Sequence, residues 1–265
     1  MTQISEPKSS PMFVALEIEL NSRCNRKCTY CPLFHHDVPD VPEFMKEAVI
    51  NRIIEELKVI DFNGRISFHL YSEPLLMKNL EQIIARFVAA LPRAKPILFT
   101  NGDFLDDERY QSLISAGVFH IVVTSHSNRP VRPRRFQTIV FPSDLPISNR
   151  GGSVYSIDST VMKPCYIPSS MMLISVTGEV LLCCDDFFRE YPMGNVLDQS
   201  LPEIWFSKRF NSIREQLNKG NRNGATAICN KCDNVEGVMP WSSERYIVDV
   251  INRGRPGYEV EGWSN

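Results

Sequence analysis

The sequence has no apolar run approaching the 18 residues that a membrane-spanning helix requires. Its start, MTQISEPKSSP, lacks the charged-then-apolar pattern of a secretion signal. Neither sign of charge dominates. Twenty-nine Lys and Arg stand against 31 Asp and Glu, a formal net charge of −2, which argues against a dedicated nucleic-acid binder. There is no low-complexity stretch, and no cysteine lies between residues 31 and 165. What remains is a globular chain, expected in the cytoplasm, with neither a membrane nor a nucleic acid as partner. Its 265 residues, 43% hydrophobic and 23% charged, suit one large domain or one large and one small domain around a sizeable core.

The cysteines carry more information. The eight stand at 24, 28, 31, 165, 183, 184, 229 and 232. Without a secretion signal, metal or redox chemistry is a better reading than a disulfide framework. A disulfide scaffold would spread them along the chain, whereas two separate metal sites would produce this clustering.

Hydrophobic periodicity supplies the frame. FVALEIEL (13–20), RISFHLY (65–71), PILFTNG (96–102), VFHIVVTSHS (118–127) and TIVF (138–141) read as strands. Between them, 43–60, the stretch around Leu80–Val88, and 106–117 carry helical patterns. A βα period of roughly 30 residues implies parallel strands covered by helices. A closed eightfold barrel needs about 250 residues, so the expected fold is α/β, a partial (β/α)6 TIM-like barrel. The C-terminal part differs: a hairpin over 171–184, a helix over 201–220 and a paired-cysteine knuckle over 225–232 form a small α+β module. The expected division is a flexible tail (1–12), the barrel (13–160), the module (161–236) and an extension (237–265). Trp241, Tyr246, Tyr258 and Trp263 at the C-terminal end would cap the barrel mouth or pair with another chain; the oligomeric state stays open.

Cys24-x3-Cys28-x2-Cys31 places three thiolates on one loop after the first strand. Structural zinc usually takes four ligands. Three thiolates can hold three irons of a 4Fe–4S cube and leave the fourth open to a small molecule. The loop also sits at the C-terminal end of a strand, where α/β repeats place active sites. On these residues the sequence resembles the radical S-adenosylmethionine (SAM) enzymes. Tyr30 matches the aromatic residue before the third cysteine of that family. YSEP (71–74) resembles its GGEP element, with Tyr71 and Ser72 replacing both glycines. FTNGDFL (99–105) is similar to its TNG-type segment, and SHS (125–127) sits where members contact the ribose or carboxylate. The resemblance implies a cluster on Cys24, Cys28 and Cys31, with Tyr30, Ser72, Glu73, Asn101 and Ser125 around SAM. It also implies reductive cleavage of SAM to a 5′-deoxyadenosyl radical that abstracts hydrogen from a C–H bond, driven by a flavodoxin- or ferredoxin-type reductant.

Cys165, Cys183, Cys229 and Cys232 offer four thiolates from three segments, and on spacing alone zinc rivals an iron–sulfur cluster there. With Gly178 ahead of Cys183 and MGNVLDQSLPEIWFSKRF (193–210) behind it, the region resembles the SPASM/Twitch modules of the same superfamily. The truncated Twitch form implies a single auxiliary 4Fe–4S cluster, and so two clusters in all. Cys183 and Cys184 compete for one ligand position. In a strand their side chains would face opposite sides, and the glycine spacing favours Cys183, leaving Cys184 as a small buried residue.

The plan resembles small Twitch dehydrogenases acting on aminocyclitols and sugars. That implies a small-molecule substrate, free or nucleotide-linked, whose secondary alcohol is oxidised while the auxiliary cluster takes an electron. With Cys24 so near the start, no leader-binding domain is expected, which lowers a ribosomal-peptide substrate. Sugar epimerisation, peptide modification, an iron–sulfur electron-transfer protein and a zinc-stapled interaction module remain alternatives. Arg150, in SNRGG (148–152), His126 and Tyr71 are the candidate catalytic residues; the planar fork of Arg150 suits hydroxyl or anionic groups. His69 reads as a core histidine, and His35 and His36 as loop groups near the cluster. Arg129, Arg132, Arg134 and Arg135 read as a solvated basic loop, with a phosphate partner as the alternative.

Overall fold

In the computed structural model the chain is described over residues 12–37, 39–126, 131–145 and 147–235. The expected C-terminal extension with its four aromatic residues, most of the N-terminal tail, Ser127 and Arg129 lie outside the described residues.

Eight strands form one sheet: β1 (Ala15–Ile18), β2 (Arg65–Ser67), β3 (Lys95–Thr100), β4 (His120–Thr124), β5 (Gln137–Val140), β6 (Met171–Ile174), β7 (Glu179–Leu181) and β8 (Pro192–Asn195). Their order is β5-β4-β3-β2-β1-β6-β7-β8. Strands β1 to β5 pair in parallel, and so do β1 and β6, with Ala15 opposite both Arg65 and Met171. The sixth parallel strand is therefore the first arm of the C-terminal hairpin, and β7 and β8 continue the sheet antiparallel. The open sheet is a partial barrel, as the βα period predicts.

The helices are α1 (Pro32–His35), α2 (Glu47–Val59), α3 (Leu80–Ala90), α4 (Asp107–Ser115), α5 (Ile167–Ser170), α6 (Leu201–Trp205), α7 (Lys208–Asn218) and α8 (Ala227–Lys231). Asp106 caps α4 by accepting the Arg109 N–H, as the acid-first, glycine-last pattern predicts. Several boundaries differ from the sequence reading. Phe44 is outside α2; it bridges to Asn21 and stays exposed. The pattern over 201–220 is two helices, because Ser207 accepts the Phe210 N–H and starts α7 afresh. Strand β8 was not expected, since Pro192 and Gly194 mask it; both residues suit an edge strand. Strand β2 ends at Ser67 rather than at Tyr71.

Period-two alternation divides the sheet into two faces. Leu16, Ile18, Leu98, Ile121, Val123, Met172 and Ile174 belong to the main core with the helices. Ala15, Met171 and Leu173 form a second cluster, and Ile97, Val122 and Val140 a third. These inward positions are interrupted by polar residues. Arg65, fully buried, pairs with Glu17 at 3.0 Å, and His120 Nε2 meets Thr138 Oγ1 at 2.9 Å. A face that only filled a core would have no use for so many buried polar groups.

Candidate active site

The C-terminal ends of the parallel strands open into a cavity of about 360 Å³. Its near wall carries Cys24, Cys28, Tyr30 and Cys31 from the loop after β1. The segment after β2 supplies His69, Tyr71, Ser72 and Glu73, and the ends of β3 and β4 supply Asn101 and His126. Arg150, Cys184 and Asn234 close the far side. Residues from the barrel and from the module thus share one chamber. Ser125 is buried, its N–H bonded to the Val140 carbonyl, and it does not line the cavity.

Burial pushes Cys24 up to about 11 and also raises Cys31. Such thiols stay protonated until a cation stabilises the thiolate. Tyr30, raised by burial, is tied through its hydroxyl to His126 Nδ1. Burial drops His126 to about 4, so its ring is neutral and shares one hydrogen bond with the tyrosine hydroxyl. His126 therefore holds Tyr30. Tyr71 is engaged in the same way: its hydroxyl donates to the Cys184 carbonyl, and burial keeps it protonated. His126 and Tyr71 were expected as catalytic groups; the Tyr71 hydroxyl and the His126 Nδ1 are each bonded to a partner within the chain.

Glu73 is almost fully buried, and burial raises its pKa. Its carboxylate accepts from Leu75 N–H (3.0 Å), Thr100 Oγ1 (2.7 Å) and Asn101 N–H (2.8 Å), locking the second and third strand ends together. Among the described cavity-lining residues, two buried polar atoms have no partner, Ser72 Oγ and His69 Nδ1. His69, stacked on Phe99, is thus a cavity residue rather than the satisfied core histidine expected from its apolar strand. Buried polar atoms without partners are uncommon, and these two fit a polar ligand.

Arg150 adopts φ +51, in the left-handed region that residues other than glycine seldom occupy. The turn is clamped from below. Asn149 N–H donates to Asp233 Oδ1 (2.7 Å) and Asn149 Nδ2 to the Lys231 carbonyl (2.7 Å). At Gly151 a Cβ would lie 2.6 Å from Ile228 Cγ1 and 2.8 Å from the Asp185 carbonyl. Arg150 Nη1 reaches Asp185 at 3.5 Å. Burial alone would lower its pKa, but Tyr71, Asp185 and Cys184 around it outweigh that and raise it above the ordinary value. Arg150 is a permanent donor there, not a proton acceptor.

The second cysteine group lies behind Arg150. Burial raises Cys165 and Cys183, takes Cys229 to about 11 and lifts Cys232 as well. Cys183 also feels Cys229 and Cys232, and both of these feel Cys165, so the four thiols share a neighbourhood. Arg222, a residue the sequence reading passed over, binds the segments together. Its guanidinium donates to the carbonyls of Lys163 (3.1 Å), Cys232 (3.0 Å) and Asn234 (2.7 Å). Nothing in the sequence distinguishes it from a surface arginine. Cys183 and Cys184 follow the end of β7 in a loop, so strand alternation does not separate them. Cys184 is partly buried and lines the cavity, contrary to the expectation of a small core residue.

Among the described residues no group of three or more His, Cys, Asp or Glu converges as a single metal ion requires. A 4Fe–4S cube does not need that convergence, because each thiolate takes a separate iron. All eight cysteines are free, so both groups have donors suited to such clusters. Arg132 and Arg134 pair with Asp107 on α4, in keeping with a structural, solvated loop. His35 and His36 bond the carbonyls of Thr29 and Ser153. No helix among the described residues is long and apolar enough to cross a membrane.

Comparison with known proteins agrees with this geometry. Residues 18–138 match the model of the radical SAM superfamily, and residues 165–233 match SPASM, an iron–sulfur cluster-binding domain. The S-adenosyl-L-methionine-dependent 2-deoxy-scyllo-inosamine dehydrogenase of Niallia circulans is 38% identical over 237 residues, covering 84% of this chain and 94% of that protein. The crystal structure of BtrN in complex with AdoMet and 2-DOIA superposes with a TM-score of 0.80 at 35% identity, over 87% of this chain and 96% of that one. Streptococcus suis SuiB bound to precursor peptide SuiA shares only the fold, at a TM-score of 0.52 and 10% identity over 83% of this chain and 71% of that one. With its barrel and its cysteine module both matched and a relative aligned along most of its length, the chain belongs to the radical SAM superfamily, as a member with a SPASM-type module that uses S-adenosylmethionine and two 4Fe–4S clusters.

Proposed function

We propose that this protein oxidises a secondary alcohol of an aminocyclitol, or of a closely similar sugar, to the ketone. One observation carries the reading: a single cavity runs from Cys24, Cys28 and Cys31 to Arg150 and Cys184, which adjoin the second cysteine group. The long alignment with a 2-deoxy-scyllo-inosamine dehydrogenase supports the substrate class. When bound, SAM and its cluster supply a hydrogen-abstracting carbon radical, and the auxiliary cluster supplies an electron acceptor.

The chain's own residues account for the remainder. Cys24, Cys28 and Cys31 hold the first cluster; Cys165, Cys183, Cys229 and Cys232 hold the second. Tyr30, Ser72, Glu73 and Asn101 surround SAM. Arg150 orients a substrate oxygen by its planar fork, and the cavity walls exclude water. The barrel and module divide near residue 160. The enzyme works in the cytoplasm with a flavodoxin- or ferredoxin-type reductant, which suits eight free cysteines.

Anaerobic assay with 2-deoxy-scyllo-inosamine tests this. Ketone and 5′-deoxyadenosine should form in equal amounts. SAM cleavage without ketone from any aminocyclitol or sugar would sink the dehydrogenase reading. Epimerisation is the second reading, favoured by the Cys184 thiol in the cavity wall. It would place solvent deuterium on the product carbon and would fail in Cys184→Ala, whereas the dehydrogenase reaction should survive that change.

A further inference from the structure

A ring of hydrogen bonds ties together the three strand-end segments at the cavity mouth. Asn21 Nδ2 donates to the Glu73 carbonyl (3.0 Å), and the Glu73 N–H to the Arg23 carbonyl (2.8 Å). The Glu73 carboxylate holds Thr100 and Asn101. Asn101 Nδ2 donates to Asn25 Oδ1 (2.8 Å). The ring closes at Asp103. Its carboxylate accepts from Asn25 Nδ2 (2.8 Å) and, through both oxygens, from Arg26 Nε and Nη2 (2.6 Å each). The Asp103 N–H donates to Asn101 Oδ1 (2.9 Å).

Asn25 and Arg26 lie between Cys24 and Cys28, while Asp103 follows β3. The pair is shielded, with side chains 20% and 15% exposed. It differs in this from ion pairs such as Lys219–Glu215, each 63% exposed on one helix, which contribute little. A bidentate pair fixes direction as well as distance. Arg26 also faces the cavity, and its charge is felt by Tyr30, Glu73 and His126. The anchor therefore acts on the loop that bears the first thiols, and it makes no contact with the second cysteine group in the bonds described above.

We propose that Asp103 is a positioning residue: through Arg26 and Asn25 it fixes the Cys24–Cys28 segment against the β3 loop, and so sets how tightly the first cluster site takes S-adenosylmethionine. The proposal rests on membership of the superfamily and is independent of the substrate.

The test uses the full chain, reconstituted anaerobically, as Asp103→Ala, Asp103→Asn, Arg26→Ala and the double variant Asp103→Ala/Arg26→Ala. SAM affinity is read from the change that SAM causes in the paramagnetic resonance spectrum of the reduced protein, alongside iron content and melting temperature. Asp103→Ala should keep its auxiliary cluster and bind SAM more weakly, on the order of 10- to 100-fold. Asp103→Asn should fall between, because it keeps an acceptor for Asn25 and loses the charge facing Arg26. The double variant should be no worse than the weaker single variant, the mark of residues acting as one unit. Wild-type SAM affinity in a folded Asp103→Ala protein would overturn the proposal, as would additive losses. Loss of both clusters, or of folding, in the Ala and Asn variants alike would assign Asp103 to general stability and overturn it too. No substrate enters the assay, so a wrong substrate class leaves this outcome unaffected.

Discussion

Cys24, Cys28 and Cys31 lie on one loop of eight residues and open onto the cavity, only partly buried. Cys165, Cys183, Cys229 and Cys232 come from three separate segments, and the last pair is buried. The first group is local: strand β1 delivers the loop, and the spacing of the thiols is written in the chain. The second exists only when β6, β7 and α8 have come together, held by Arg222 and by the Asn149–Asp233 clasp. One loop can leave an iron open to a ligand. Four ligands from three segments close around a cluster and make it part of the fold.

The largest expected effects separate the two groups outright. Cys28→Ala should abolish SAM cleavage. Cys229→Ala should retain some cleavage while ketone formation stops, if the auxiliary cluster takes the substrate's electron. Measuring 5′-deoxyadenosine and ketone side by side checks both, and ketone formation by Cys229→Ala would remove the second cluster from the reaction.

Arg222→Met probes how the second group is assembled. Three carbonyls, two of them buried, would lose their donor, and each buried acceptor left unsatisfied costs about 1–3 kcal/mol. Iron should fall by about half, from the eight expected of two 4Fe–4S clusters, with the SAM response of the first cluster kept. Unchanged iron and melting temperature would show that the module closes without this arginine.

A smaller effect concerns the floor beneath the cavity. Burial lowers His120 to about 4, against about 6.5 in an unfolded chain. Between these values the unfolded state binds the extra proton, so stability is full above pH 6.5 and is lost as pH falls towards 4. The loss amounts to about 3 kcal/mol at the acid end. His120→Gln should flatten that part of the stability profile, measured as the difference from the parent protein; an identical acid slope in both would contradict it.

Tyr71→Phe should have the smallest effect. Its hydroxyl holds the Cys184 carbonyl, and loss of one such bond costs about 1 kcal/mol. A modest fall in kcat is expected; loss of activity by orders of magnitude would make Tyr71 a catalytic residue.

The same contrast explains what was readable beforehand. The βα period, the helix capped by Asp106, the cavity positions of Cys24, Cys28 and Cys31, and Arg150 in its glycine turn follow from local patterns. His69 was misread because an apolar strand was taken to continue past Ser67, where the chain in fact leaves the sheet to line the cavity. Cys184 was misread because the alternation of a strand was applied to a loop. Arg222 and Asp103 were invisible, since each acts by joining its own loop to a segment far along the chain, Lys163 at 59 residues and Arg26 at 77.

The sequence by itself determined the parallel α/β sheet, the two cysteine groups and the superfamily, because each is encoded in spacings short enough to act within one loop or one strand. The tertiary structure decided that the hairpin supplies the sixth parallel strand, that the barrel and the module share one cavity, and which polar atoms remain available in it. Tyr71, His126 and Glu73 look alike as candidates along the chain; only packing shows that the Tyr71 hydroxyl, the His126 Nδ1 and the Glu73 carboxylate already have partners while His69 Nδ1 and Ser72 Oγ do not, because a hydrogen bond depends on distance and direction in space rather than on position in sequence.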